Sequence, residues 1–215
     1  MSDDVQALYS RSKLEYEVGN FRKGEEYLKT IIGNDVASVR GFDIHMMSTA
    51  AHITGVADFL ELAESRGKAV VGSLSNSTVD LEKAHIGLGL VAVYRANAAS
   101  AQESYSALEH TRGTFETSGA ISMDRILGLL AHTMGILATA AGHFEDALAF
   151  CRKAGYRPEL AWSLCDYADM LLERKGDGDQ DQATSMLEES LAISTELGMR
   201  PLMERVLSRR EILKA

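Results

Sequence analysis

Two segments of the chain repeat the same order of residue types, and this internal similarity constrains the fold more than any other feature of the sequence. Residues 19–31 and 142–154 each begin with Gly-x-Phe, place a small residue three positions after the phenylalanine, and place an aromatic residue three positions later again. Such a repeat indicates a supersecondary unit that cannot bury its apolar face alone and therefore stacks on its neighbours.

The spacing is typical of a helical hairpin. Gly19 or Gly142 is expected to end one helix, and the aromatic residue begins the next. The small residues Gly24 and Ala147 are then expected where two helices cross, because a larger side chain would push the axes beyond the roughly 8–10 Å of close packing. Only two of the 215 residues are proline, which also favours an all-α fold because proline interrupts helices.

This pattern resembles the tetratricopeptide repeat, whose second helix carries Gly-x-Tyr/Phe-x-x-Ala followed by a further alanine, here Ala154. The first helix of that repeat carries a Leu-Gly pair, which the spacing matches to Leu88-Gly89 and to Met134-Gly135. The resemblance implies a right-handed α-solenoid of about five helical hairpins with a capping helix at the C-terminus. Residues 1–215 are expected to form one such domain, since no linker-like segment divides them.

The turn signals support a chain of successive helices. Gly155-Tyr156-Arg157-Pro158 and Gly198-Met199-Arg200-Pro201 share one arrangement, with a glycine after a helix end and a proline at the start of the next helix. The predicted helices cover residues 4–18, 21–32, 37–53, 56–73, 79–96, 98–117, 121–141, 143–154, 158–174, 180–197 and 200–213.

The last third of the chain, residues 157–202, is similar to the C-terminal end of the helical-repeat region in bacterial signalling ATPases, including LuxR-type regulators related to the maltose regulon activator. This resemblance implies the sensor or interaction region of a signal-transduction or transcription regulator. Its ligand would be a protein or peptide, which includes the regulator's own ATPase or output domain, or alternatively a small-molecule inducer. The sequence contains no Gly-x-x-x-x-Gly-Lys-Ser/Thr phosphate loop, so ATP hydrolysis would belong to another part of such a regulator.

Net charge and apolar patterning exclude several classes of partner. The formal charge of -9 is the wrong sign for neutralising phosphates, so direct nucleic-acid binding is not expected. No apolar stretch approaches the roughly 20 residues that span a bilayer, and the acidic N-terminus does not resemble a signal peptide. A cytoplasmic protein without membrane contact is expected, and a homodimer would cover the less polar N-terminal helix.

No catalytic or cofactor motif is recognised, so we expect a binding protein rather than an enzyme. Cys151 and Cys165 lie among apolar residues and are expected to be buried and unreactive. Asp177, Asp179 and Asp181 have the spacing of a calcium loop, but Gln182 stands where that loop needs glycine. We therefore favour an acidic loop in which Asp179 or Asp181 caps the following helix, and predict no metal site.

The tetratricopeptide resemblance also indicates which residues face the concave groove, because inward positions recur on the first helix of each unit. Aromatic and imidazole groups collect on this surface, as in ligand grooves, although several could instead pack between units. The register assigns to the groove Tyr9, Lys13, Tyr16, Phe42, His45, Thr49, His52, Ile86, Leu90, His132, Ile136, Trp162, Asp166 and Asp169, together with Gln6, Lys83, Val93, Leu129, Thr139 and Glu159.

Overall fold

The computed structural model describes residues 3–32, 41–55, 57, 59–73, 76–118 and 120–214. Most of these residues are α-helical, as the sequence predicted. The helices are α1 (Asp3–Glu17), α2 (Phe21–Ile32), α3 (Gly41–Thr54), α4 (Leu60–Val71), α5 (Thr78–Tyr94), α6 (Ala98–Leu108), α7 (Met123–Thr133), α8 (Leu137–Ala154), α9 (Arg157–Arg174), α10 (Asp179–Leu197) and α11 (Arg200–Lys214). Two short antiparallel strands, β1 (Phe115–Glu116) and β2 (Ile121–Ser122), form a hairpin between α6 and α7.

The helices separate into an inner and an outer group. Odd-numbered helices contact one another in order, α1 with α3, α3 with α5, α5 with α7 and α7 with α9, whereas the main contacts of the even-numbered helices are with their neighbours in sequence. The last helix, α11, contacts α1, α3 and α9. The inner group is therefore closed, because its last helix touches its first two.

Small residues allow the inner helices to approach closely. A Cβ atom added at Gly87 of α5 would lie 2.6 Å from Cγ2 and 2.8 Å from the carbonyl carbon of Ile44 on α3. Gly24 faces the ring of Tyr16 in the same way, at 2.9 Å. The prediction that Gly24 marks a helix crossing is confirmed by this contact between α2 and α1. Ala147, predicted for the same role, is fully buried.

The predicted turns at the two ends of the chain are also confirmed. Gly19, Gly155 and Gly198 have φ angles of +81°, +75° and +69°, the left-handed conformation that glycine adopts without strain. Pro158 and Pro201 lie in the first turns of α9 and α11. Among the described residues, no helix has both the length and the apolar character needed to cross a bilayer.

The predicted boundary between the seventh and eighth helices is wrong. Helix α7 ends at Thr133, and the left-handed residue is Gly135 (φ +75°), whereas Gly142 lies inside α8. Met134-Gly135 is therefore a turn between helices, unlike Leu88-Gly89, which lies within α5. The two pairs are not equivalent, so the groove register predicted for Leu129, His132, Ile136 and Thr139 is wrong.

The predicted helix over 98–117 is too long, and the hairpin was not foreseen. Helix α6 ends at Leu108, and a 3-10 turn (Glu109–Thr111) follows. The hydroxyl of Thr111 then donates to the carbonyl of Leu108, and Gly113 adopts a φ of +75°. One further start differs, since α4 begins at Leu60 and not at residue 56. The segment 37–40 predicted for α3 lies outside the described residues.

Alanine substitution at two glycines should have opposite effects. Gly87→Ala should lower the free energy of unfolding by roughly 1–3 kcal/mol, because backbone atoms of Ile44 leave no room for a methyl group. Gly142→Ala should raise it by about 0.5–1 kcal/mol, because this helical position has no atom within 4 Å of the added Cβ. Urea unfolding followed by circular dichroism measures both, and destabilisation by Gly142→Ala would contradict a continuous α8.

Candidate functional site

Most residues predicted to line a groove lie on the inner faces of the odd-numbered helices, but they are covered by the helices opposite. Phe42, His52, His132 and Asp169 remain partly exposed, and Ile136 is exposed. The buried members of the set are Tyr9, Lys13, Tyr16, His45, Thr49, Ile86, Leu90, Trp162 and Asp166, with Lys83, Leu129 and Glu159.

A buried arginine that sequence reasoning missed joins three inner helices. Arg125 of α7 donates from Nε to Asp166 Oδ2 at 2.7 Å and from Nη1 to Glu159 Oε2 at 3.1 Å, both on α9. Its Nη2 donates to Nε2 of His52 on α3 at 3.0 Å. Its side chain is 5% exposed, and a buried guanidinium is tolerated only when its charge is paired in this way.

The same aspartate fixes the last helix. Asp166 Oδ1 accepts a hydrogen bond from Arg205 of α11 at 3.0 Å, and Asp169 accepts from Arg205 at 3.3 Å and from Arg209 at 3.0 Å. Burial opposes ionisation of Asp166, but Arg125 and Arg205 overcome that effect and lower its pKa to about 2. Asp166 is therefore an anion shared by two helices.

Trp162 lies close to both arginines that bind Asp166. The guanidinium carbons of Arg125 and Arg205 are 5.5 and 5.7 Å from its ring centroid, within the range of cation–π contacts. The ring of His52 is 5.7 Å away. Because Nε2 of His52 accepts from an arginine, its proton is on Nδ1 and the ring is neutral. Burial, with help from Arg205 and Arg125, lowers the pKa of His52 to about 3.

The hairpin closes one end of the inner group. Glu116 accepts hydrogen bonds from Lys83 of α5 and from Ser118, and its Oε2 is 3.7 Å from Nδ1 of His45. Burial opposes ionisation of Glu116, but His45, Lys83 and Ser118 lower its pKa to about 2. Burial, with a smaller effect of the nearby lysines, lowers the pKa of His45 to about 4.

Further contacts hold the hairpin from outside and from the neighbouring helices. The ring of Phe115 stacks on Tyr156 at a centroid distance of 4.3 Å and on Phe150 at 5.7 Å. The carbonyl of Ala120 accepts from Lys13 at 3.2 Å, so that the predicted groove residue of α1 binds hairpin backbone instead.

The opposite end of the inner group is open. A depression of about 550 Å³, which we call the mouth, lies where α3 and α5 end and where α11 crosses them. Its lining consists of Phe21, residues 51–55, Val93, Tyr94, Leu129, Pro201, Glu204, Arg205, Ser208 and Arg209. About half of these side chains are apolar, and the polar groups belong to His52, Thr54, Glu204, Arg205, Ser208 and Arg209.

A smaller space lies beneath the mouth. This inner cavity has a volume of about 10 Å³ and shares His52 and Ile53 with the mouth. Its polar lining is formed by Lys13, Glu17, Thr49, His52, Arg125 and Trp162, and its apolar lining by Ile53, Leu90, Ile121 and Ile126. The structure thus brings five of the predicted groove residues together at one place, namely Lys13, Thr49, His52, Leu90 and Trp162.

Other candidates lie away from this site. His132 pairs with Glu173 at 2.8 Å, and Ile136, which is 46% exposed, lies at the turn before α8. Asp179 of the acidic loop receives two hydrogen bonds from Arg174 and one from the backbone NH of Gly176. A second depression of about 260 Å³ between α4, α5 and α6 contains none of the residues in the predicted groove set.

The expected burial of the two cysteines is confirmed. Cys151 and Cys165 are free thiols with no exposed surface. Burial raises the pKa of each to about 12, so neither thiol is ionised at neutral pH.

Four charged residues of the site carried little signal in the sequence. Arg125 and the preceding Asp124 stand in a largely apolar stretch of α7, which could have indicated a buried ion pair. Arg205 and Arg209 are one helical turn apart, a spacing that fits two contacts with one neighbouring helix, yet a polar C-terminal cap explains it equally well. Glu116 had no signal, because its segment was predicted to be helical.

The free energy of unfolding should fall as the pH falls below about 6.5. The pKa values of His45 and His52 are about 4 and 3 in the folded protein, against an ordinary 6.5, so the unfolded chain binds more protons between these values. Each neutral histidine contributes stability that is complete above pH 6.5 and decreases by about 1.4 kcal/mol per pH unit as the pH falls towards 4.

Urea unfolding between pH 7.5 and pH 4.5 measures this dependence. His45→Gln should reduce the slope by about one proton, whereas the control His110→Gln, at an exposed position, should leave it unchanged. Equal slopes for all three proteins would contradict a buried neutral His45.

The sequence and the structure were also compared with known proteins. The chain matched no protein-family model, no curated protein and no solved structure.

Proposed function

We propose that this chain is a non-catalytic binding module of a bacterial signal-transduction or transcription regulator, and that it binds a small molecule in the mouth. The observation that carries this proposal is the open depression of about 550 Å³ at the open end of the inner helices. Ligand sites for small molecules typically measure roughly 300–1,000 Å³ and combine apolar walls with a few polar groups.

The walls of the mouth fit the apolar part of such a ligand. Phe21 is 43% exposed and Tyr94 is 47% exposed, and both border the mouth. Exposed aromatic rings beside a depression offer a large contact area at little cost in conformational entropy. Val93, Leu129 and Pro201 extend this surface between three helices.

The interior favours a small ligand over an extended peptide. Tyr9, His45 and Trp162 are at most 2% exposed, so the surface expected to bind a peptide is occupied by contacts between helices. A peptide in an extended conformation needs a continuous groove, whereas the mouth is a local depression. The small-molecule alternative is therefore the one that the geometry supports best.

The chemistry of the mouth supports binding without catalysis. Its histidine, His52, uses Nε2 to accept a hydrogen bond from Arg125, and its arginines are paired with Asp166 and Asp169. A general base must have a free lone pair directed at the substrate. The histidine and the arginines of the mouth are thus suited to recognition rather than to proton transfer.

A protein partner is the second candidate, because Phe21 and Tyr94 could also receive an apolar side chain from another protein. In that case the regulator's own output domain would be one candidate partner. Binding measurements on the isolated chain distinguish the two functions. A small ligand would bind the chain alone, whereas the second function requires a protein partner.

Removal of the mouth aromatics should weaken binding of an uncharged apolar probe. The naphthalene dye prodan should bind with a Kd on the order of 0.1 mM, since ligands of this size gain roughly 0.3 kcal/mol per non-hydrogen atom. Phe21→Ala and Tyr94→Ala should each raise that Kd at least about fivefold, because one ring contact contributes roughly 1 kcal/mol. Dye fluorescence measures the Kd.

Val79→Ala is the matched control for these variants. Val79 is 57% exposed and lies at the opposite end of α5 from Tyr94, so its loss should leave the Kd unchanged. Absence of prodan binding, or an equal effect of all three substitutions, would rule out the mouth as the site.

A further inference from the structure

The inner cavity beneath the mouth contains hydrogen-bonding groups that the protein itself does not satisfy. Trp162 Nε1 and Thr49 Oγ1 are buried atoms with no hydrogen-bond partner among the described residues. The two side chains are 2% and 4% exposed, and both line the cavity. Glu17 Oε1 also lines the cavity without a hydrogen bond, but it lies 3.1 Å from Lys13 Nζ and is paired with that charge. A buried polar atom without a partner costs roughly 1–3 kcal/mol, so Trp162 Nε1 and Thr49 Oγ1 at one cavity indicate a site for a polar group.

The size of the cavity limits what that group can be. Its volume of about 10 Å³ corresponds to roughly one water-sized group. A carboxylate, a phosphate or a sugar ring is larger than this space. The group that fits has one non-hydrogen atom.

The hydrogen-bonding types of the two atoms define the chemistry further. The indole NH of Trp162 can only donate, whereas the hydroxyl of Thr49 can both donate and accept. A hydroxyl group matches both, because it accepts from the indole and donates to the threonine oxygen. An ammonium group cannot accept from Trp162.

Charge also favours an uncharged group. The cations of the lining, Lys13 and Arg125, are already paired, with Glu17 at 3.1 Å and with Glu159 and Asp166. An added buried charge without a counterion would cost several kcal/mol. The cavity therefore offers no unpaired ion to a charged ligand.

We propose that the inner cavity binds the hydroxyl group of an alcohol whose apolar body lies in the mouth. The proposal rests on the proposed function and names the class of its ligand. His52 and Ile53 line both spaces, so the ligand passes beside these two residues from the mouth to the inner cavity. The hydroxyl hydrogen-bonds to Trp162 and Thr49, while Phe21 and Tyr94 contact the body.

Four probes of similar size test this inference: 2-phenylethanol, phenylacetate, 2-phenylethylammonium and ethylbenzene. Trp162 is the only tryptophan of the chain, so its indole NH gives a single side-chain signal in nitrogen–proton correlation spectra. We expect 2-phenylethanol to shift this signal and to bind at least tenfold more tightly than the other three probes. Binding of ethylbenzene or of a charged probe with equal affinity would overturn the hydroxyl site.

Thr49→Val separates a binding role from a structural one. The substitution keeps the shape and removes an unpartnered hydroxyl, so the melting temperature should stay equal or rise while the Kd for 2-phenylethanol rises about tenfold. Thr133→Val is the control, since Thr133 bonds to the carbonyl of Leu129 within α7 and should leave the Kd unchanged. An unaltered Kd in Thr49→Val would overturn the proposal.

The outcome also distinguishes this inference from the proposed function. If prodan binds in the mouth and none of the phenyl probes does, the hydroxyl site fails and the binding function stands. If prodan also fails to bind, both fail.

Discussion

The structure depends on the buried guanidinium of Arg125. It binds Glu159 and Asp166 on α9 and His52 on α3, so a single side chain of α7 fixes the relative positions of three inner helices. Apolar contacts alone tolerate sliding between helices, whereas directional hydrogen bonds to a buried charge do not. Removing Glu159 or Asp166 would leave the charge of Arg125 uncompensated in the interior. The guanidinium therefore requires all of the polar groups that surround it.

Asp166 extends that network to the last helix and to the mouth. Its second oxygen binds Arg205, which lines the mouth, and Arg205 shares Asp169 with Arg209. A molecule that contacts the mouth therefore contacts the same side chains that attach α11 to α9. Under the proposed function, ligand binding would therefore be linked to the position of α11 through these ion pairs, and a ligand with different affinities for two positions of α11 would change their populations.

Local features of the sequence predicted most of the helices. Contacts between residues far apart in the sequence were not predictable. The turns at Gly19, Gly155 and Gly198 depend on a few neighbouring residues and were foreseen. The residues predicted to face a groove on α1, α3, α5 and α9 also lie on the inner faces of these helices. Helical periodicity alone sets which side chains share a face. The partners of Arg125, by contrast, are separated from it by 34, 41 and 73 positions, and no local pattern indicates such pairs. The hairpin was missed for a related reason, since Glu116 and Phe115 are stabilised by residues of α5, α8 and the turn before α9.

The contact of α11 with α1 and α3 changes how the molecule should lose its structure. In an open stack of helical units, each unit contacts only its neighbours, so the terminal units fray first and melting proceeds inwards. In this structure α1 and α11 contact each other, and neither helix can detach without exposing surface of the other to solvent. We therefore infer a single cooperative melting event, in contrast to the gradual end-fraying of a linear array.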